Sequence, residues 1–169
     1  MYDLSVNVDF DEESAAKFCQ EAEEIAKHGD KSQAIWIYID SNGGAVDSLY
    51  KMLSFVKFLK KKGFKINTYC TDKAYSCGAV LFSVGEKRVM KPTATVMIHE
   101  VSFGVRERLS EVIKTVEEVK QLNDDLFNIM SRNFKINKKK LLKIINNQDR
   151  YFHVEECLKL GIATDTDCF

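Results

Sequence analysis

The sequence predicts a single α/β domain in which strands and helices alternate as right-handed crossover units. Three observations carry that reading. Short β-branched runs alternate with stretches whose apolar residues recur at helical spacing. One run, Ala34-Ile35-Trp36-Ile37-Tyr38-Ile39, is apolar on both parities, the pattern of a parallel strand covered on both faces. At 169 residues the chain is long enough for one substantial core and short for two domains.

Taken in order, Leu4-Ser5-Val6-Asn7-Val8 alternates like a strand. From Asp11 to Lys27, Ala15, Phe18, Ala22, Ile25 and Ala26 mark a helix, with acids near its start and Gly29 past its end. His28 lies in its last turn and reads as an ordinary polar cap. The strand from Ala34 to Ile39 runs into Asp40-Ser41-Asn42-Gly43-Gly44, a turn that opens a helix striped by Val46, Leu49, Leu53, Val56 and Leu59. Lys65 to Cys70 is the next strand, and Ala74-Tyr75-Ser76-Cys77-Gly78-Ala79 leads into the apolar segment Val80 to Val84. Arg88-Val89-Met90 and Thr95-Val96-Met97-Ile98 are two further strands split by Pro92. Leu109 to about Phe134 is the longest helical pattern; some 25 residues extend ~37 Å at 1.5 Å per residue. Such a helix either reaches out to a partner, with a second copy of the chain the simplest one, or lies flat on the sheet. Asn137 to Asn147 is a short basic helix, and Val154 to Leu160, closed by Gly161, is the last.

Composition narrows the classes of function. Twenty-five basic residues balance twenty-five acidic ones, so there is no electrostatic footprint for nucleic acid. The clusters Lys60-Lys61-Lys62 and Lys138-Lys139-Lys140 sit at helix ends and are expected to face solvent. Cys19, Cys70, Cys77, Cys157 and Cys168 form no CxxC pair, which argues against a metal site or a disulfide framework and for a reducing compartment. The N-terminus has no signal-peptide pattern, and no apolar run approaches the ~20 residues of a membrane span.

Chemistry concentrates at the junction around Ser76. A hydroxyl between a strand and a helix has free backbone N–H groups and the positive end of a helix dipole beside it, which suits a nucleophile. The plainer reading is a helix N-cap. Gly43-Gly44 before a helix leaves N–H groups open to an anion, or simply makes a turn. His99 directly follows a strand, where ligands gather in open α/β sheets, and is placed as a general base would be; a structural imidazole fits the same position. His153, at the mouth of the last helix, lacks that placement. Periodicity does not choose an orienting acid among Asp149, Asp40, Asp124 and Asp125.

Taken together, Tyr38 to Val46, Ala74 to Ala79, Val96-Met97-Ile98-His99 and Asp149-Arg150-Tyr151-Phe152 resemble, in order and spacing, the proteolytic subunit of Clp protease (ClpP). The similarity runs from about Ala34 to Asp165 and includes the terminal Glu155 to Ile162. The resemblance implies a ClpP/crotonase-like spiral of β-α units with a protruding handle helix. It divides the chain into a head, 1–100 and 135–169, and a handle strand and helix, about 101–134. It makes Ser76 the nucleophile, His99 its base and Asp149 the acid that orients the imidazole, a triad recognised by geometry rather than order. Backbone N–H groups of Gly44 and Cys77 become the oxyanion hole, and a side chain at Gly-Gly is expected to block the approach. Arg150 falls where the family couples ring–ring contacts to triad geometry. The implied assembly is a heptameric ring stacked into a double ring, cutting unfolded proteins or short peptides in the cytoplasm, or in an organelle or a phage host. No cofactor or metal is expected; ATP enters only through a Clp-type AAA+ unfoldase.

Three features depart from the family pattern. His99-Glu100-Val101 stands where His-Gln-Pro and a glycine-rich strand are usual, with only Gly104 in the segment Ser102 to Arg108. Ser41-Asn42-Gly43-Gly44 replaces Ser-Pro-Gly-Gly. The chain begins at the first strand, so a compact form without the axial N-terminal segment is expected, while Trp36 and Tyr38 match the family's docking clefts. The competing readings are a catalytically silent ring subunit, a crotonase-type acyl-CoA enzyme, and a cysteine nucleophile at Cys77.

Overall fold

The computed structural model describes residues 1–167; Cys168, the fifth cysteine, and Phe169 lie outside the described residues. Six helices and seven strands alternate along the described chain. Strand β1 (Tyr2–Val6) leads through α1 (Glu12–His28) to β2 (Ile35–Ser41), then α2 (Val46–Lys62) and β3 (Ile66–Tyr75). After α3 (Cys77–Ser83) come β4 (Arg88–Met90), β5 (Thr95–Ile98), α4 (Leu109–Phe134) and α5 (Lys138–Ile145). The chain closes with β6 (Arg150–His153), α6 (Val154–Leu160) and β7 (Asp165–Thr166). No helix among the described residues is long and apolar enough to cross a membrane.

Local chemistry explains several element ends. Asp11 accepts from the Ser14 N–H at 2.8 Å while the Ser14 hydroxyl accepts from the Asp11 N–H at 3.0 Å, a reciprocal cap that starts α1. Gly63 and Gly161 close α2 and α6 in the left-handed conformation. Helices α1 and α2 lay Phe18, Ala22, Leu49, Met52 and Leu59 against the sheet.

One parallel sheet runs in the order β1-β2-β3-β4-β7. Its long strand β3 serves two neighbours in succession. Thr68–Cys70 pairs with β4, and Lys73–Tyr75 pairs with β5. A register shift accompanies this change of partner: β3 bulges between Cys70 and Ala74 opposite Ile39 and Ser41 of β2. The register sets Tyr75 beside Met97, so the residues that follow, Ser76 and His99, emerge together at the carboxyl end of the strands.

Four expectations need correction. Strand β1 lies two residues earlier than the alternation of Leu4 to Val8 predicts, because its partner β2 begins at Ile35 and sets the register. β2 buries only one face: Ile35, Ile37 and Ile39 are sealed, whereas Trp36 and Tyr38 on the other remain half-buried, Tyr38 against the Tyr69 ring of β3. β3 continues past Cys70 through polar Thr71-Asp72-Lys73, carried by its second partner. Arg150–His153, left without an element by the sequence, forms β6, antiparallel to β5. Lys60, Lys61 and Lys62 are exposed as expected, and the Lys60 ammonium also donates to the Val84 carbonyl at 2.6 Å, where desolvation lowers its pKa.

Helix α4 has two unlike halves. Its buried residues, Leu126, Phe127, Met130 and Phe134, all lie in the second half. The first half exposes Leu109 and Ile113 and stands off the core rather than lying flat. Residues 101–108 form no strand in the single chain. The Val101 N–H is taken instead by Asn123 Oδ1 on α4 at 3.0 Å.

Candidate active site

Ser76 connects β3 to α3 with φ 52° and ψ −116°. A side chain held at positive φ without glycine's freedom is strained by about 1–3 kcal/mol, and its surroundings must hold it there. They do so by hydrogen bonds: the Ser76 N–H donates to the Met97 carbonyl at 2.9 Å, and its carbonyl accepts from Ala79 and Val80. This sharp strand-to-helix elbow lifts the hydroxyl clear of the helix. Ser76 occupies the N-cap position of α3, yet its side chain makes no capping bond. Instead Ser76 Oγ lies 2.8 Å from His99 Nε2. The hydroxyl can only donate to an imidazole nitrogen that lacks a proton, the arrangement of a nucleophile and its base.

The other face of the imidazole meets Asp149. Nδ1 lies 3.8 Å from Asp149 Oδ1, an ion-pair distance rather than a hydrogen bond. The Asp149 side chain is 62% exposed and the His99 side chain 21%. Among the described residues no other acid comes within ion-pair reach of His99. Of the competing acids, Asp124 pairs with Lys138 and accepts from Asn128, and Asp125 accepts from Gln121. Arg150 does not pair with its neighbour Asp149; it reaches Glu156 at 2.6 Å.

Two backbone N–H groups complete the site. The Gly43 carbonyl accepts from the Phe10 N–H at 2.7 Å, which fixes the peptide between Gly43 and Gly44. No cis peptide occurs among the described residues, so the Gly44 N–H points opposite to that carbonyl. The Cys77 N–H opens α3 and has no helical partner. Neither donates to a protein acceptor among the described residues. Both residues line one small cavity with Ser76 and His99, walled by Val46, Val80, Ile98, Leu126, Phe127 and Met130.

The two glycines act differently from the expectation that a side chain at either blocks the approach to the site. A Cβ on Gly43 (φ 107°) falls 2.6 Å from Ser76 Cβ, against the side chain that faces His99. A Cβ on Gly44 (φ 138°) falls 2.5 Å from the Phe10 carbonyl oxygen, against the strut that fixes the Gly43–Gly44 peptide.

The Cys77 thiol donates to the Gly44 carbonyl at 3.2 Å. Burial pushes its pKa up to about 11, which keeps it a neutral thiol rather than a nucleophilic thiolate. Burial likewise raises Cys157 to about 12 and Cys70 further. No group of three or more His, Cys, Asp or Glu side chains that could hold a metal occurs among the described residues.

Sequence reasoning missed Phe10, Asn123 and Glu156. Phe10 contributes through its backbone, which leaves no residue-type signal. Asn123 had a faint one, a polar residue beside the buried stretch of α4. Glu156 looks like any acid in a helix's first turn.

Fold and site together define a mostly parallel α/β protein whose strand–elbow–helix serine faces a histidine across the carboxyl ends of adjacent strands. The chain belongs to the Clp protease family, which matches residues 3–166. It is 30% identical over 132 residues to the ATP-dependent Clp protease proteolytic subunit of Deinococcus radiodurans, covering 77% of this chain and 63% of that protein. It is 31% identical over 137 residues to the ATP-dependent Clp protease proteolytic subunit 2 of Chlamydia trachomatis, covering 79% of this chain and 64% of that protein. The corresponding subunit of Chlamydia pneumoniae gives the same figures. The chain thus spans a little under two-thirds of the length of these relatives.

Proposed function

We propose that this chain is a serine endopeptidase subunit that cleaves unfolded proteins or short peptides through an acyl-enzyme. The single observation that carries the reading is the 2.8 Å contact between Ser76 Oγ and His99 Nε2 at a strained elbow. His99 takes the hydroxyl proton as Oγ attacks the scissile carbonyl, and the C–O bond forms as the carbonyl π electrons move to oxygen. The resulting oxyanion accepts from the Gly44 and Cys77 N–H groups. Loss of one such donor typically costs ~10²–10³ in turnover. His99 then gives its proton to the departing amine as the C–N bond breaks, and a water repeats the sequence to release the acid. Asp149 stabilises the imidazolium, and closing its 3.8 Å gap to hydrogen-bond distance is the adjustment the site has left to make.

The cavity beside Ser76 is walled mainly by apolar side chains, which favours an apolar residue before the cut bond. The working unit in this reading is a heptameric ring, stacked as a double ring, in the cytoplasm. It needs no cofactor of its own, and ATP is spent by a Clp-type AAA+ unfoldase that feeds it.

The test is fluorophosphonate labelling of the folded protein, with the adduct mapped by peptide mass spectrometry. One adduct on Ser76 is expected, and Ser76→Ala abolishes both adduct and peptide cleavage. A folded protein that takes no label, alone or with an unfoldase, belongs to the silent ring subunits instead.

A further inference from the structure

We propose that Glu156 is a positioning residue for Asp149, acting through Arg150, so that an ion pair within one chain sets the geometry of the acid beside His99. This rests on the reading of Ser76, His99 and Asp149 as a catalytic unit.

Asp149 is poorly anchored by itself. It follows Asn146 and Asn147, both in the left-handed conformation at φ 51° and 57°, and precedes the first paired residue of β6. Its carboxylate is largely exposed, and His99 is its only charged partner among the described residues. Whatever fixes Arg150 therefore fixes the first rigid point after Asp149.

Arg150 is held in four ways. Its backbone pairs with Ile98, the residue directly before His99. Its Nη1 donates to the Tyr151 carbonyl at 2.6 Å, and its Nη2 donates to Glu156 Oε1 at 2.6 Å. The guanidinium carbon stands 4.9 Å from the centre of the Phe152 ring. Of the contacts made by its side chain, the Glu156 one alone comes from another element, α6. It fixes the direction of the planar fork, and with it the lean of the strand's first residue. The same carboxylate also sits in the first turn of α6, where an acid is ordinarily favourable, so burial and charge alone do not separate the two roles.

Magnitude separates them. Both side chains are more than a third exposed, at 39% and 37%, and a pair so exposed adds little to stability. Geometry at the reacting centre is far more sensitive, since small displacements of a catalytic group cost large factors in rate. Glu156 is thus expected to be nearly silent in folding and audible in chemistry.

The experiment measures the rate of Ser76 labelling by a fluorophosphonate for the full chain, Glu156→Ala, Asp149→Asn and the double variant. Glu156→Ala is expected to slow labelling about 10-fold with little change in Tm. In the Asp149→Asn background the same change is expected to do nothing further, because the group it positions is gone. Glu156→Gln, which still accepts from the guanidinium, recovers most of the rate and decides the matter if the alanine variant fails to fold. An equal proportional loss in both backgrounds, or none in either, overturns the proposal while the peptidase reading stands. An unmodified chain that takes no label at Ser76 overturns both.

Discussion

Gly43 and Gly44 adjoin in sequence, yet a methyl group on each meets a different wall. On Gly43 it presses on Ser76 Cβ, and on Gly44 it presses on the Phe10 backbone that braces the loop. Both substitutions carry the cost of a positive φ, about 1–2 kcal/mol. Beyond that they diverge. Gly43→Ala displaces Ser76 and, in the proposed reading, is expected to lower its labelling by ~10² or more, the scale of a lost oxyanion contact. Gly44→Ala breaks the bracing contact and is expected to lower Tm further than Gly43→Ala does. Equal Tm losses would contradict the contacts. At this scale the sequence was legible wherever chemistry is local. Ser76 between a strand and a helix, and His99 at a strand end, could be singled out without coordinates. Asp149 could not be separated from Asp40, Asp124 and Asp125 by pattern alone, because its approach to His99 depends on β6 pairing with β5, a contact between distant segments. The resemblance, rather than the pattern, singled it out. Phe10 was hidden for a different reason, since a backbone amide reads the same at every residue.

Among the elements, α4 joins two environments along one helix. Its second half inserts Leu126, Phe127, Met130 and Phe134 into the core, and Phe127 is 1% exposed. Phe127→Ala is expected to lower the unfolding free energy by about 3–5 kcal/mol in urea titrations, the range for a large buried ring replaced by a void. A loss below about 1 kcal/mol would mean that this half is not docked. The bounds of α4 were readable in the sequence because a 3.6-residue stripe over so many turns admits no other element. Short strands were not. β6 is four residues whose apolar and polar members fit either period, and the polar second half of β3 is held extended by its neighbours β5 and β2. Such segments take their form from a partner rather than from their own residues. The same holds for residues 101–108, whose Val101 N–H is satisfied by a side chain of α4 and which have no strand to join.

For the whole molecule, one imbalance is apolar surface left uncovered along residues 103–113. Phe103, Val105, Leu109 and Ile113 are all exposed, on the segment after His99 and on the free half of α4. A net charge of zero offers no repulsion to keep copies apart. Leu109 and Ile113 lie four apart on one helix face, so a facing copy can cover both in an isologous contact. The double variant Leu109→Glu/Ile113→Glu is expected to shift native mass spectra to smaller assemblies while far-ultraviolet circular dichroism stays unchanged, since neither side chain supports the core. The site should register the same change. Val101 connects His99 to Asn123 on α4, so, in the proposed reading, a helix released from a second copy loosens the segment that follows His99. Ser76 labelling of the double variant is therefore expected to fall together with the assembly. If the smaller species label as fast as the parent, the active site is complete in one chain, and assembly serves only to enclose it.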